Sequence, residues 1–408
     1  MKTNNIVVKK FGGTSVGSIE RIENLANRLV KDIAAGQKPV VVVSAMSGET
    51  NRLIALGEQI DPDYRGPAYD MLIASGEQVS VSLLAIALQK RGVKAQPLLA
   101  YQLGIRTDSV HAKARIKEID GSTLIRFVEA GVVPVVAGFQ GIDDEDNITT
   151  LGRGGSDTTA VALSAAISKY SKVCEIFTDV PAVFTADPRL IPKAREIPKI
   201  SYDEMMEMAA LGSKVLHIRC VEIAAKYGIR IHLRSSFEDR EGTWIVPEGE
   251  AMEQELVSAV THDANTAVFK LFPVPPGAGF LSELFQVLAA RGVVVDIITQ
   301  SESNEGQRLA FSVTKEDVPL TRQVLKETVK TGAEVLLIEN MAKISVVGVG
   351  MRNHPGVAAR FFKILAQSDI PIHIVTTSEI KISAVIDQKH LAQAANSLHT
   401  EFNLDKVE

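Results

Sequence analysis

The chain has 408 residues, more than one ordinary core holds and enough for two or three domains of roughly 150 residues each. Apolar residues make up 46% and charged residues 23%. The 44 basic and 49 acidic side chains leave a net charge of −5, without the basic excess of a nucleic-acid binder. Cys174 and Cys220 are too few for a disulfide framework or a zinc cluster and suit a reducing cytosol. No apolar run approaches the roughly 18 residues of a membrane span, and a Gly-rich motif by residue 12 leaves no room for a signal-peptide core. These features exclude secreted, fibrous, disordered and membrane classes. They predict a cytoplasmic, multi-domain α/β protein with neither a nucleic-acid nor a membrane partner.

In chain order, residues 6–8 predict a short buried strand that ends in a Gly-Gly turn. Ile19, Ile22, Leu25, Leu29 and Ile33 follow at helical spacing, forming one apolar face. Residues 40–43, 132–137 and 174–178 are apolar runs that predict buried strands, separated by Ala- and Leu-rich helical stretches. That alternation predicts a largely parallel sheet covered on both faces. In such a sheet, ligands meet the loops beyond the carboxyl ends of the strands. After Pro247, the acids Glu248, Glu250, Glu253 and Glu255 mark a linker over 248–262. Beyond it the chain repeats. A slide of 77 positions aligns Gly279 with Gly356, Phe285 with Phe362, Thr299 with Thr376 and Glu302 with Glu379, without a gap. Each copy reads strand, helix, strand, strand, helix, strand.

Three motifs lie where chemistry is expected. In Lys10-Phe11-Gly12-Gly13-Thr14-Ser15 a cation precedes two glycines that admit a close ligand, and N–H groups at the following helix attract anions. The Walker pattern is not met, since Ser18 follows Gly17 where lysine would stand. In Gly152-Arg153-Gly154-Gly155-Ser156-Asp157 three glycines surround an arginine ahead of a helical run from residue 158, with Ser156 or Asp157 as the N-cap. Thr158 breaks the serine-hydrolase elbow. Thr178-Asp179-Val180-Pro181 and Thr185-Ala186-Asp187-Pro188-Arg189 follow an apolar strand, where a nucleotide would lie. Lys214 is a further candidate cation. Taken singly, each motif is also compatible with an ordinary turn or helix entry. Asp143-Asp144-Glu145-Asp146 reads as a solvated turn, and the eight histidines show no zinc spacing.

Taken together, KKFGGTSVG, VSAMSGETNRL, ASGEQVS, TTLGRGGSDTTAVAL, FTADPR, LGSKVLH and TSEIKIS resemble the aspartokinases, in that family's order and over nearly the whole chain. The resemblance implies a three-layer α/β sandwich with a mostly parallel sheet, the amino-acid kinase fold, over 1–247. It also implies two tandem α+β, ferredoxin-like ACT units over 263–339 and 340–408. The implied reaction is phosphoryl transfer from ATP, with Mg²⁺, to L-aspartate, the first step toward lysine, threonine and methionine. Implied partners are lysine or threonine as effectors and a homo-oligomer formed through the ACT units.

By the same resemblance, Lys10 and Lys214 serve the phosphates, and Asp157 orients the lysines. Lys10, Phe11, Gly12, Gly13, Ser44, Thr178, Asp179, Phe184, Arg189 and Lys214 match nucleotide-site positions, with Gly12 and Gly13 donating N–H groups. Thr50, Glu77, Arg153, Gly154, Gly155 and Ser156 match aspartate-site positions, Glu77 for the ammonium and Arg153 for a carboxylate. Asp296 and Gln300 match effector-site positions. No all-protein metal cage is expected. Departures from the family pattern are Phe184 for its Tyr, Pro181-Ala182 for Asp-Gly, Ile218 for Pro, and Pro276, Val294 and Pro371 in the ACT loops. The alternatives are another amino-acid kinase of this fold acting on an acidic substrate, and a catalytically dead amino-acid-binding regulator.

Overall fold

The computed structural model describes residues 5–212, 215–250, 256–304, 306–329 and 332–406. The chain forms two compact units. The first comprises residues 1–183, 196–210 and 214–252; the second comprises 184–195, 211–213 and 253–408.

In the first unit the strands are β1 (Ile6–Phe11), β2 (Lys38–Val43), β3 (Ala95–Leu98), β4 (Arg106–Thr107), β5 (Ile116–Glu118), β6 (Val133–Ala137), β7 (Gln140–Ile142), β8 (Ile148–Thr150), β9 (Val173–Thr178), β10 (Lys199–Ser201), β11 (Arg230–Ser235) and β12 (Thr243–Val246). Its helices are α1 (Ile19–Ala34), α2 (Glu49–Glu58), α3 (Pro67–Gln89), α4 (Ser122–Glu129), α5 (Gly155–Ala166), α6 (Tyr202–Ala210) and α7 (Ile218–Tyr227). Eight strands form one sheet in the order β10-β12-β11-β9-β1-β2-β6-β3, parallel except where β11 meets β12. The chain runs outward from β1 in both directions, so β1 lies at the switch point where open α/β sheets bind ligands. A small second sheet, β5-β4-β7-β8, is built from two- and three-residue strands too short and polar to show in the sequence pattern.

Ile22, Leu25 and Leu29 of α1 and Val81, Leu84 and Leu88 of α3 pack with Phe11, Val41 and Val43 on one face of the large sheet. Ile19, expected on the buried stripe, is the first residue of α1 and is 57% exposed. Helix α3, at 23 residues, is long and apolar enough by length and composition to cross a membrane, contrary to the reading of the sequence. Ile73, Val81, Leu84 and Leu88 line the core while Met71, Val79 and Ile86 are exposed, and the helix buries two carboxylates, Asp70 and Glu77. Both cysteines are free and buried.

Residues on a strand alternate between faces, and β1 carries lysines on both. Lys9, only 2% exposed, sends its ammonium to Asp32 of α1 (2.6 Å) and Glu175 of β9 (3.0 Å). Arg28 and Arg234 lie over the Phe177 ring beside them. This cation lengthens β1 three residues past the apolar run that announced it.

The second unit contains β13 (Ala259–Val274), α8 (Ala278–Ala290), β14 (Val295–Ser303), β15 (Gly306–Thr314), α9 (Val318–Thr328), β16 (Glu334–Val347), α10 (Val357–Gln367), β17 (Ile372–Ser378), β18 (Lys381–Asp387) and α11 (Leu391–Glu401). The six strands share one sheet, ordered β14-β15-β13-β16-β18-β17. Val295 and Ile372, which open corresponding strands, keep the repeat's 77-residue offset. The second copy has no final strand of its own among the described residues. Its fourth strand is the start of β13, Ala259 to Asp263, paired with Val347 to Lys343. Residues 259–262, read as linker, are therefore sheet. Residues 184–195 also belong here: Ala186 and Ile191 enter the core with Phe361 and Leu398, and Thr185 bonds His399 (2.9 Å).

Removing Lys9 should test its part in β1. Lys9→Ala leaves buried Glu175 and half-buried Asp32 short of their shared cation and should cost about 3 kcal/mol, the low end for a broken buried pair, because Arg234 remains 3.7 Å from Glu175. Urea unfolding followed by circular dichroism measures this, and the triple change Lys9→Met, Asp32→Asn, Glu175→Gln should recover most of the loss.

Candidate active site

The carboxyl ends of β1, β2, β6 and β9 converge on the predicted motifs. Lys10, 8% exposed, points to the face opposite Lys9 and pairs with Asp157 in the first turn of α5, at 2.6 Å. Phe11 turns back into the core and stacks on Phe177, with centroids 4.6 Å apart, so it offers a ligand only its backbone.

The Gly12 N–H, expected to face phosphate, instead donates to the Phe177 carbonyl (3.2 Å), because the parallel β1–β9 ladder continues one residue past the strand. Gly13 opens a short 3-10 turn. A Cβ on Gly13 would stand 2.9 Å from the Ala45 carbonyl, and one on Gly76 would stand 2.9 Å from the Ala45 Cβ. Two glycines thus let the backbone just after β2 fit between the β1 turn and α3. There the Ser44 N–H donates to Phe11 (3.2 Å), and the Ser80 hydroxyl donates to the Ser44 carbonyl (2.8 Å).

That approach brings the Ala45 N–H to Glu77 Oε1 at 3.0 Å. Glu77 Oε2 is shielded from solvent and has no partner in the structure. Burial pushes the Glu77 carboxyl from 4.5 up to about 7, against the lowering effect of the Ala45 hydrogen bond. Thr50, half-buried, sits in the first turn of α2, behind the left-handed Gly48.

On the other side, Gly154 rather than Ser156 or Asp157 caps α5. It is left-handed (φ 66°), and the helix starts at Gly155, three residues before the expected position. A side chain at Gly154 would lie 2.2 Å from His217 Cβ, so the cap needs glycine both for its φ and for the close packing on α7. Gly155 is buried against Phe139, and Ser156 against Gly138 at the end of β6. This packing leaves Arg153 exposed at the tip of the loop, its guanidinium open to a ligand. Thr178 is half-buried and donates to exposed Asp179 (3.2 Å). Asp143 folds its own turn by accepting from Glu145 and Asn147. Among the described residues, no group of three His, Cys, Asp or Glu could hold a metal.

The structure therefore brings Lys10, Gly12, Gly13, Ser44, Glu77, Asp157 and the 153–156 loop onto one unit. Lys214 lies outside the described residues. Phe184 and Arg189 belong to the second unit, where Arg189 is exposed and pairs with Asp187 (2.7 Å). Two contributors were missed. The Ala45 N–H could not be seen because a backbone donor leaves no residue signal. Arg219 donates to the carbonyls of Leu151 (2.6 Å) and Ala114 (2.8 Å), steadying the strand that leads into Gly152. Its place in His217-Ile218-Arg219 was the available clue. Asp296 pairs with Lys343, and Gln300 bonds Gln307.

Comparison with known proteins identifies the family. The amino acid kinase family matches residues 5–235, and an ACT domain matches 344–402. An aspartate kinase from Stutzerimonas stutzeri is 47% identical over 404 residues, covering 98% of each chain. The chain belongs to the aspartokinase family. Aspartokinase 2 of Bacillus subtilis is 46% identical, again over 98% of both chains. Among solved structures, E. coli aspartokinase III in complex with aspartate and ADP superposes with a TM-score of 0.80 at 26% identity, over 97% of this chain and 99% of that one. The same enzyme with lysine and aspartate superposes at 0.79 and 27%, over 98% and 99%.

The Glu77 environment makes a pH prediction. Its folded pKa lies above the unfolded value, so the stability this carboxyl contributes is complete below about pH 4.5 and lost as pH rises through about 7. Relative to Glu77→Gln, the wild type should lose roughly 3 kcal/mol between pH 4.5 and pH 8. Paired urea titrations at the two pH values measure this, and a constant difference would contradict it.

Proposed function

We infer that this aspartokinase-family protein is a phosphotransferase that moves the γ-phosphoryl group of ATP to the β-carboxylate of L-aspartate. The product is 4-phospho-L-aspartate, and the step opens the routes to lysine, threonine and methionine. The observation that carries the reading is the buried Lys10–Asp157 pair at the carboxyl end of the central strand. The nucleophile has a pKa of about 3.9 and is already ionised at neutral pH, so no general base is required. The barrier is the approach of an anion to a polyanion, which positioning and fixed positive charge overcome.

In this reading Lys10 bridges the phosphates and the attacking carboxylate, and Asp157 holds its ammonium in place. Gly13 presents backbone N–H to phosphate beside Ser44, with Phe11 and Gly12 setting the path of the turn. Thr178 and Asp179 flank the nucleotide at the end of β9. Arg153 receives a substrate carboxylate, with Thr50, Gly154, Gly155 and Ser156 shaping the pocket. Glu77 meets the α-ammonium, whose charge draws off the proton that burial favours. Asp179, exposed at the end of β9, suits a Mg²⁺ ion held mainly by phosphate oxygens. That ion supplies neutralisation of charge on the transferring group. The buried free cysteines support a cytoplasmic setting.

Lys10→Ala should remove aspartyl-phosphate formation in a hydroxamate assay while leaving the circular dichroism spectrum unchanged. Turnover within about threefold of wild type would refute its assignment.

We further propose a catalytic domain over 1–247, less the segments 184–195 and 211–213 that belong to the second unit, and ACT units over 263–339 and 340–408, with the start of β13 lent to the second ACT unit. Lysine, threonine or both act there as effectors, near Asp296 and Gln300. Exposed Val294, Ile298, Leu336, Ile372 and Val375 support a homo-oligomer formed through this region. Calorimetric titration with lysine and threonine, singly and mixed, should give saturable heat with at least one, and coupling to activity of about 1–3 kcal/mol. Equal activity with and without either would show that Pro276, Val294 and Pro371 have silenced the site.

A further inference from the structure

We propose that Asp70 is a positioning residue for the amino-acid half of the active site: it ties the helix bearing Glu77 to the strand that delivers Arg153. Asp70 is wholly buried on α3, seven residues before Glu77, so both carboxylates lie on the same helical face two turns apart. Its two oxygens collect donors from two other segments. The Ala112 N–H reaches Oδ1 and Oδ2 at 3.0 and 3.1 Å, and His111 Nδ1 lies 2.8 Å from Oδ2. From β8, the Thr150 N–H donates to Oδ2 (3.0 Å) and the Thr150 hydroxyl to Oδ1 (2.5 Å).

Thr150 is the last residue of β8, three before Arg153. Ala112 belongs to the same arrangement, since its carbonyl stands 3.0 Å from where a Cβ on left-handed Gly152 would be. One carboxylate therefore fixes both the residue that launches the loop and the backbone against which the loop turns. From the far side the loop is closed by Gly154 against His217 and by Arg219 on Leu151. A carboxylate accepts at every lone pair, whereas an amide in its place would turn N–H groups toward N–H donors. Asparagine at 70 should loosen the loop relative to Glu77 even if the chain folds. A positioning error of this kind falls on the substrate that spans Glu77 and Arg153, and not on the nucleotide, whose contacts lie along β1, β2 and β9.

The proposal rests on the reading that Arg153 and Glu77 hold aspartate, so its test includes Arg153→Ala. Full-length Asp70→Asn, Thr150→Val and Arg153→Ala are assayed with aspartate and ATP varied separately, alongside thermal melts. Asp70→Asn should raise the KM for aspartate roughly tenfold or more, with the KM for ATP changed by less than about twofold. Thr150→Val, which loses one of the two β8 bonds, should raise it by about threefold to fivefold. If both KM values rise together in a folded Asp70→Asn, or neither rises, the proposal is overturned. Should Asp70→Asn not fold, an unchanged aspartate KM in Thr150→Val overturns it equally. If Arg153→Ala leaves the aspartate KM unaltered, the site assignment has failed and the positioning role falls with it. If Arg153→Ala raises that KM while Asp70→Asn does not, only the positioning role fails.

Discussion

Two adjacent lysines on one central strand are both almost fully buried, and that constraint organises the catalytic unit. A strand sends consecutive side chains to opposite faces, so each ammonium had to find its own carboxylate on its own side of the sheet. Lys9 finds Asp32 and Glu175 beneath α1; Lys10 finds Asp157 at the start of α5. The two pairs are not equivalent. The first is closed by three further charged or aromatic neighbours, so its cation is spent within the fold. The second lies where strands end and backbone turns away, and Lys10 stays 8% exposed there. One strand thus carries two buried lysines, distinguished by what each helix places opposite.

Glycine sets the distances around that second pair. Gly13 and Gly76 let the backbone at Ala45 pass within contact of both the β1 turn and α3, and the same approach delivers the Ala45 N–H to Glu77. Gly154 lets the α5 entry sit against α7, which leaves Arg153 outermost. Glu77 and Arg153 are therefore positioned by backbone packing. Glu77 keeps one oxygen unpartnered in a buried setting, a costly arrangement.

Much of this was legible in the residues. The valine run at 40–43 and the apolar run ending at Thr178 are buried strands, as read, and the Lys10–Gly13 motif lies at the carboxyl end of the strand that begins at residue 6. The extent of β1 was hidden because a buried lysine reads as polar until its partner is known. The start of α5 was misplaced because a left-handed glycine cap looks, in sequence, like one more loop glycine. Asp70 was invisible for a different reason: its donors come from residues 111, 112 and 150, too distant along the chain for any spacing rule. The repeat was visible, but not which strand completes its second copy.

That last point bears on how the regulatory half can work. Because β13 and β16 run side by side for nearly their whole length, each of the two repeats contains part of both strands. A shift of one repeat cannot be confined to it: moving β16 against β18 also moves it against β13, and so against β15. Two small α+β units thereby share one continuous sheet. The segment 184–195 is packed into that sheet's unit through Ala186, Ile191 and the Thr185–His399 bond, although in the chain it follows β9 of the first unit.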